Sequence, residues 1–359
     1  MKLFSSVTLG DVILGNRVVM APMTRNRALG NLPNSLIAEY YGQRATAGLI
    51  VTEGTSPSPN GLGYPRIPGV FSPEQRDGWR LVTEAVHAAG GHIFIQLMHV
   101  GRVGSHLNLP PGAELLAPSA IAMNGNIWTD SQGERPCDLP REMTPDDVAE
   151  AIAEFRRAAT IAMEAGFDGV EIHGANGYLV NQFLDPVSNQ RSDDFGGDDQ
   201  RRNRFALEVA TAISSAIGAS RTGIRLSPYG VFNEMSGSYD GIAEQYVQLA
   251  TGLGRLGLGY LHFVDHSALG APSPDINTVR AMTREFRDNG GGAIILSGGY
   301  DRERAETDLQ EGAADLVAFG RPFIANPDLM ERLRTGASLT LPDQATFYTS
   351  GKEGYTDYQ

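Results

Sequence analysis

Residues 144–178, TPDDVAEAIAEFRRAATIAMEAGFDGVEIHGANGY, decide the fold because they join a helix signal directly to a strand signal. Thr144 offers an N-cap, and Pro145 with two aspartates suits the first turn of a helix that runs to Ala165 and stops at the following glycine. The apolar run Gly169–His173 follows at once and predicts a buried strand. A helix that leads straight into a buried strand is typical of an α/β fold.

Seven further short apolar runs resemble Gly169–His173 and alternate with helical patterns. They are Val18–Ala21, Leu49–Thr52, His92–Leu97, Thr222–Leu226, Tyr260–Val264, Ala293–Leu296 and Asp315–Phe319. Eight such strands with helices between them predict an α/β fold with a single closed (β/α)8 TIM barrel. The alternative, an open doubly wound sheet, needs a glycine-rich turn after its first strand, and none follows Val18–Ala21.

Two segments fall outside a bare barrel. Residues 1–15 are predicted to form a hairpin that turns at Gly10-Asp11 and plugs the bottom of the barrel. Residues 100–143, rich in Gly, Pro and Asn, make a long excursion after the third strand. A connection of that length is usually functional, so we expect a lid over the active site. Because no linker or repeat divides the chain, we expect a single TIM-barrel domain over residues 1–359.

Composition narrows the classes of function. The 29 Lys and Arg residues against 42 Asp and Glu residues give a net charge of −13, which argues against nucleic acid or an anionic membrane as a partner. Cys137 is the only cysteine, so this chain alone holds neither an intrachain disulfide nor an iron–sulfur cluster. The sequence contains no run of about 18 apolar residues, so it predicts no membrane-spanning helix. We expect a cytoplasmic protein that acts on a small molecule.

Glycines and charged residues follow several predicted strands. They indicate the position of an active site, because the active sites of TIM barrels lie at the C-terminal ends of the strands. Gly298 and Gly299 follow the seventh strand, and Gly320 and Arg321 follow the eighth. Backbone N–H groups at glycines together with a guanidinium suit a phosphate, with ordinary turn glycines as the alternative. Arg225 in the fifth strand is buried at a cost unless it meets an anionic or polar ligand, or a structural salt bridge.

A second cluster follows the fourth strand. His173 and Asn176 are three residues apart on a tight turn, so both side chains can point to one acceptor oxygen. No further His or carboxylate follows at ligand spacing, so no metal site is expected. Tyr178 adds a phenol that can give a proton beside this electrophilic clamp. The alternative is a strand-end histidine whose hydrogen bonds are satisfied within the protein.

Five segments in the same order resemble the old yellow enzyme family and together cover essentially the whole chain. They are NRVVMAPMTRNRA (Asn16–Ala28), RATAGLIVTEGT (Arg44–Thr55), HGANGYLVNQFLDPVSNQRSDDFGG (His173–Gly197), AFGRPFIANPDL (Ala318–Leu329) and EGYTDY (Glu353–Tyr358). The ordered set makes the resemblance highly specific. In that family NADPH or NADH reduces a non-covalent FMN, which then reduces an activated C=C bond. The resemblance implies the same ene-reductase activity here, with a small-molecule enone as substrate.

The resemblance also implies which residues hold FMN. By this resemblance, the residues that contact the flavin ring are Pro22, Met23, Thr24, Gly54, Gln96 and Arg225. The residues that contact the phosphate are Gly298, Gly299, Gly320 and Arg321. Within this set the Thr24 hydroxyl bonds a ring carbonyl, and Arg225 stabilises negative charge at the N1/C2 carbonyl edge. Thr24 resembles the larger branch of the family, whereas the thermophilic-like branch carries a cysteine near this position.

On the substrate side, the resemblance implies that His173 and Asn176 bind the carbonyl or nitro oxygen. Hydride from flavin N5 then reaches Cβ, and Tyr178 protonates Cα. Tyr64 and Tyr348 resemble aromatic residues of the family's pocket, with simple packing as the alternative.

Three residues near strand ends have open assignments. Met98 stands where the family often has a bulky Trp, which would alter the shape of the pocket and the handling of nitro compounds. His262 and His266 end the sixth strand and either border the site or serve a core or solvated role.

Other functions of related barrels predict different residues. A 2-hydroxy acid oxidase or a dihydroorotate-type dehydrogenase depends on a His or Cys base and lacks the His-Gly-Ala-Asn-Gly-Tyr turn. A dienoyl-CoA reductase relative carries an iron–sulfur domain, which a single cysteine excludes. A flavin-storage or sensor protein would bind FMN without turnover, and this class is separated from an enzyme only by assay.

Two properties stay open at the level of sequence. Neither NADPH nor NADH is favoured, because Arg135 and Arg141 in the predicted lid are either contacts for a 2′-phosphate or simply solvated. Both a monomer and a homodimer fit the sequence.

Overall fold

The computed structural model describes residues 1–359, and eight parallel strands form its centre. In chain order they are β1 (Val18–Met20), β2 (Leu49–Thr55), β3 (Ile93–Leu97), β4 (Gly169–Gly174), β5 (Thr222–Leu226), β6 (Tyr260–Val264), β7 (Ala293–Ser297) and β8 (Leu316–Phe319). Each strand pairs with the next, and β8 pairs with β1 through Ala318 and Val19, which closes the sheet. The predicted TIM barrel is confirmed, and the strand ends differ from the predicted ones by no more than three residues.

Ten α-helices surround the barrel or extend its loops. They are α1 (Ser35–Gly42), α2 (Pro73–Ala88), α3 (Pro145–Glu164), α4 (Leu179–Leu184), α5 (Asp199–Ile217), α6 (Ile242–Arg255), α7 (Ile276–Asp288), α8 (Arg302–Gln310), α9 (Arg321–Ala325) and α10 (Leu329–Thr335). The predicted cap of α3 is present. The backbone N–H of Asp147 donates to Thr144 Oγ1 at 3.1 Å, and the backbone N–H of Thr144 donates to the Asp147 carboxylate at 2.7 Å. This reciprocal cap satisfies two N–H groups and fixes where α3 begins.

The barrel interior has an apolar lower layer and a polar upper layer. Val19, Leu49 and Phe94 are buried in the lower layer with residues from β6 to β8. Because side chains alternate along a strand, Gln96 faces the same side as Phe94 but lies two residues closer to the C-terminal end. Gln96 stands beside Glu171 of β4. The polar layer therefore lies at the strand ends where the sequence predicts the site.

The N-terminal hairpin pairs Val7–Leu9 with Val12–Leu14 in antiparallel fashion, as the sequence predicts. Its turn holds Gly10 at a φ of 54°, and a Cβ at Gly10 would lie 2.1 Å from the carbonyl oxygen of Ser220. Glycine alone tolerates both the conformation and the close approach. The last leucine of each strand is buried against the apolar lower layer, so the hairpin covers the N-terminal end of the barrel.

The excursion over residues 100–143 contains short strands and no α-helix. Leu116–Ala117 pairs with Arg141–Glu142. Asn126–Thr129 and Gly133–Pro136 form an antiparallel pair, which we call the lid hairpin.

None of the helices of the chain combines the length and the apolar character that a membrane-crossing helix requires.

The C-terminal tail, residues 336–359, folds back against the segment that follows β1. Arg25 and Arg27 are fully buried there and bind the backbone of the tail. Arg25 Nη2 donates to the carbonyl oxygen of Gly354 at 2.7 Å, and Arg27 Nη1 donates to that of Phe347 at 2.6 Å. These charge-assisted bonds fix the tail beside the C-terminal end of the barrel.

Candidate active site

A cleft of about 930 Å³ opens at the C-terminal ends of the strands. Ten of the fifteen site residues predicted from sequence line it: Pro22, Thr24, Gly54, Tyr64, Gln96, His173, Asn176, Tyr178, Arg225 and Tyr348. The lid hairpin adds Trp128 and Asp130 to the walls, so the predicted lid segment does border the cleft.

His173 and Asn176 carry polar groups that the protein itself does not satisfy. His173 Nδ1 and Asn176 Oδ1 are buried and have no hydrogen-bond partner. Asn176 has a left-handed φ of 59°, and its backbone N–H donates to Ser227 Oγ at 3.0 Å while its carbonyl oxygen accepts from Asn233 Nδ2 at 2.8 Å. Burial, reinforced by the positive charge of Arg225, holds the pKa of His173 well below its ordinary value. A neutral imidazole and an amide therefore stand ready for a ligand.

Tyr178 stands next to this pair, at the N-terminal end of α4. Its ring centroid is 4.9 Å from that of His173, and its hydroxyl donates to the hydroxyl of Tyr64 at 3.2 Å. Burial raises the pKa of Tyr178 above its ordinary value of 10.0. The phenol is therefore protonated at neutral pH, as a general acid must be.

Arg225 projects from β5 as a buried cation without a partner carboxylate. Its side chain hydrogen bonds only to Ser297, through Nη2 and Oγ at 3.4 Å, and its Nε has no partner. The residue is 6 % exposed. A direct salt bridge, the structural alternative for Arg225, is therefore absent. A buried guanidinium with unused donors on a cleft wall fits an anionic or polar ligand.

The two glycine clusters lie on neighbouring strand ends. β7 and β8 pair through Ser297 and Ala318, so Gly298-Gly299 and Gly320-Arg321 follow adjacent strands. Gly298 and Gly299 have φ values of 135° and 61°, which other residues rarely adopt. Arg321 is exposed and pairs with no carboxylate of the chain. Met23 borders this cluster rather than the cleft, since its Sδ lies 3.6 Å from where a Cβ of Gly320 would stand.

The residues with open assignments take different positions. Met98 lines the cleft next to Gly54, where a Cβ would meet the Met98 Sδ at 2.5 Å. A Cβ at Gly54 would therefore displace the flexible end of the Met98 side chain. His262 is fully buried in the polar layer below the cleft. His266 is half-buried, with its ring 4.2 Å from that of Phe232.

The two lid arginines differ in their availability. Arg141 forms ion pairs with Glu114 at 2.8 Å and with Asp147 at 2.7 Å, so its charge is already paired. Arg135 lies exposed in the lid hairpin and contacts only Gln132. Of the two, Arg135 is the one still free to meet a 2′-phosphate.

Arg66, which sequence reasoning missed, joins three segments at the cleft. Its guanidinium donates to the carbonyl oxygens of Asn26 at 3.1 Å and Tyr348 at 2.9 Å. It also forms an ion pair with Asp130 of the lid hairpin. These partners lie 40, 282 and 64 residues away along the chain, so no local pattern could have identified Arg66.

The residues present fit FMN. The cleft lies within the range of about 300–1,000 Å³ that small-molecule sites occupy, and buried unpartnered polar atoms of His173, Asn176 and Arg225 line it. Gly298-Gly299 and Gly320-Arg321 follow adjacent strand ends, and backbone N–H groups together with a guanidinium are the kind of donors that a phosphate requires. No group of three His, Cys, Asp or Glu side chains is placed to hold a metal ion.

Comparisons with known proteins agree along the whole chain. The model of the NADH:flavin oxidoreductase / NADH oxidase family matches residues 2–340. The 12-oxophytodienoate reductase 7 of Oryza sativa subsp. japonica is 40% identical, over 99% of this chain and 94% of its own. The structure of morphinone reductase in complex with tetrahydroNAD has a TM-score of 0.93 at 43% identity and covers 100% of this chain and 97% of that one. The old yellow enzyme homologue from Zymomonas mobilis has a TM-score of 0.92 at 37% identity, over 100% of this chain and 99% of that one. The chain therefore belongs to the NADH:flavin oxidoreductase / NADH oxidase family and is an old yellow enzyme, an FMN-dependent ene-reductase that a nicotinamide cofactor reduces.

Proposed function

We propose that this ene-reductase acts on α,β-unsaturated carbonyl compounds, and on nitroalkenes with the same electronic pattern. One observation carries the proposal. The side chains of His173 and Asn176, which make no hydrogen bond within the protein, lie beside the protonated phenol of Tyr178 on one wall of the cleft. A substrate with an acceptor oxygen conjugated to its C=C bond is what these three groups can activate.

His173 and Asn176 act on the oxygen. His173 can donate its one ring N–H to the oxygen and Asn176 can donate an N–H of Nδ2, and two such bonds draw electron density from the double bond, so that Cβ becomes electrophilic. Burial keeps the pKa of His173 low, so the ring is a neutral imidazole with one N–H group to donate. A hydrocarbon alkene would leave both groups unpaired at a cost of about 1–3 kcal/mol for each, which supports selection of conjugated oxygen compounds.

For the cofactor, we assign the flavin ring to Pro22, Met23, Thr24, Gly54, Gln96 and Arg225, and the phosphate to Gly298, Gly299, Gly320 and Arg321. When bound, FMN accepts hydride from NADPH or NADH and supplies it through N5 to Cβ of the alkene. Arg225 suits the polar edge of the ring because its donors are otherwise unused. If the reductant is NADPH, Arg135 is the lid residue best placed by its exposure to meet the 2′-phosphate.

Tyr178 supplies the proton that Cα needs once hydride has reached Cβ. Its hydroxyl lies 3.2 Å from that of Tyr64, and because either hydroxyl can act as the donor, Tyr178 can turn its proton to Cα while Tyr64 donates to it. Tyr348, which is 58 % exposed, closes the cleft from the tail and is assigned only to substrate contact.

The test separates the two half-reactions with Tyr178→Phe, which keeps the ring and removes the acid. Flavin reduction by NADPH is expected to be nearly unchanged, because it needs no carbon protonation. Reoxidation by cyclohexenone should slow by about 10²–10⁴-fold, the usual contribution of a positioned acid. Tyr64→Phe is the matched control, since it removes a hydroxyl from the same pair but leaves the acid, and it should slow the enone step far less.

Stopped-flow traces with a quinone as oxidant complete the design, because quinone reduction requires no proton at carbon. Equal slowing with enone and quinone would indicate a damaged site. An enone step of wild-type rate in Tyr178→Phe would remove Tyr178 as the acid.

A further inference from the structure

A fully buried carboxylate lies below the cleft and has no role in the chemistry described above. Glu171 belongs to β4, two residues before His173, and is 0 % exposed. Three donors converge on it: Gln96 Nε2 at 2.8 Å, the Tyr260 hydroxyl at 3.1 Å and His262 Nδ1 at 2.8 Å. Glu171 is not among the residues that line the cleft.

The contacts of Glu171 lead to two of the three polar residues of the predicted flavin ring site, Gln96 and Arg225. The first contact is direct, since Gln96 gives one amide N–H to the Glu171 carboxylate and keeps its carbonyl oxygen for other partners. The second runs through His262, whose Nε2 lies 3.2 Å from Ser297 Oγ, the same oxygen that Arg225 Nη2 approaches at 3.4 Å. Ser297 and His262 thus separate the Glu171 carboxylate from Arg225.

Charge balance explains the arrangement. A lone guanidinium and a lone carboxylate each cost several kcal/mol in a protein interior, but together in one core they partly offset each other. Burial alone would raise the pKa of Glu171, yet the attraction of His262 and Arg225 and the bond from Gln96 outweigh it and hold the pKa below its ordinary value. The carboxylate is therefore ionised and sets the net charge around Arg225.

We propose that Glu171 is a positioning residue of the flavin site, which holds the Gln96 amide in its orientation and partly cancels the positive charge that Arg225 presents to the cleft. The proposal rests on the assignment of Gln96 and Arg225 to the flavin. A direct Arg225 salt bridge would use up its donors, whereas a carboxylate held one layer below leaves them free. Removal of the Glu171 charge should then make the site more positive and favour the flavin once it carries the extra electrons.

Glu171→Gln tests the charge with almost no change in volume. The ratio of the Kd for oxidised FMN to the Kd for reduced FMN should rise by about ten-fold, which corresponds to a midpoint potential about 30 mV more positive for a two-electron couple. Tyr260→Phe removes one hydrogen bond to Glu171 and keeps its charge, so the potential should stay at the wild-type value. Potentials are measured with reference dyes and a chemical reductant, so no alkene or nicotinamide enters the result.

An unchanged or more negative potential in a folded, flavin-loaded Glu171→Gln variant overturns the proposal. If that variant does not fold, Glu171→Asp carries the test, because the shorter side chain draws the carboxylate away from Gln96. The Kd for oxidised FMN should then rise several-fold while the potential stays near wild type, and an unchanged Kd overturns the positioning role. A wild-type protein that binds no FMN would instead contradict the proposed function itself.

Discussion

Arg225→Met removes the buried cation and keeps a side chain of similar length, so it separates the electrostatic role of Arg225 from its packing. The fold should lose little. Arg225 makes one hydrogen bond, to Ser297 at 3.4 Å, and a bond from a charged group contributes about 1.5–3 kcal/mol. Loss of the charge ends the cost of burying it but also removes the positive charge that partly offsets the buried Glu171 carboxylate, so the two effects on stability oppose each other.

The effect on the flavin should be larger than the effect on the fold. A unit charge in contact with developing negative charge, at ~4 Å and an effective dielectric constant of about 20, is worth about 4 kcal/mol. That energy corresponds to a potential about 90 mV more negative for a two-electron couple. Reduction by NADPH should slow accordingly. Arg225→Lys keeps the charge and should recover most of the potential.

A redox titration beside a thermal melt measures both quantities on one sample. We expect a large negative shift in potential with a change in Tm of only a few degrees. A wild-type potential in Arg225→Met, together with a large fall in Tm, would show that Arg225 serves the fold and that its assignment to the flavin is wrong.

Two further predictions concern ligand binding and pH. Para-substituted phenols should bind the oxidised enzyme with a broad long-wavelength absorbance, and His173→Ala or Asn176→Ala should weaken that binding by about 1–3 kcal/mol; an unchanged Kd in both variants would place the clamp elsewhere. Glu53, which is fully buried in β2, has a pKa that burial raises from 4.5 to about 7. Its contribution to the stability of the fold is therefore fully present below pH 4.5 and is lost as the pH rises through about 7. Relative to Glu53→Gln, the wild-type free energy of unfolding should therefore fall by about 3 kcal/mol between pH 4.5 and 8, and parallel stability curves would refute this.

The strands could be predicted because each one is a short apolar run buried on both sides. Thr222–Leu226 and Tyr260–Val264 have the predicted bounds. β2 runs three residues beyond its prediction, to Thr55, because the apolar pattern ends at Thr52 while the pairing with β3 resumes after a register shift between Val51 and Gly54. A bulge of this kind leaves no trace in the hydrophobic period.

The site could be predicted where its residues are close together in sequence. His173, Asn176 and Tyr178 share one strand end and its turn, so their spacing alone suggested a common ligand. The spacing of residues in the sequence could not identify Arg66 or the buried Glu171. The contacts of Arg66 come from distant segments, and the bond from Gln96 to Glu171 arises only when β3 and β4 pair in register.

The most direct test of the account is a two-step titration of the purified yellow protein without oxygen. NADPH or NADH should bleach the flavin, and cyclohexenone should then restore its colour with formation of an equal amount of cyclohexanone. Acid precipitation of the same sample should release FMN into the supernatant. A flavin that bleaches but is not reoxidised by the enone, or a released flavin other than FMN, would contradict the assignment of this chain as an FMN-dependent reductase of conjugated carbonyl compounds.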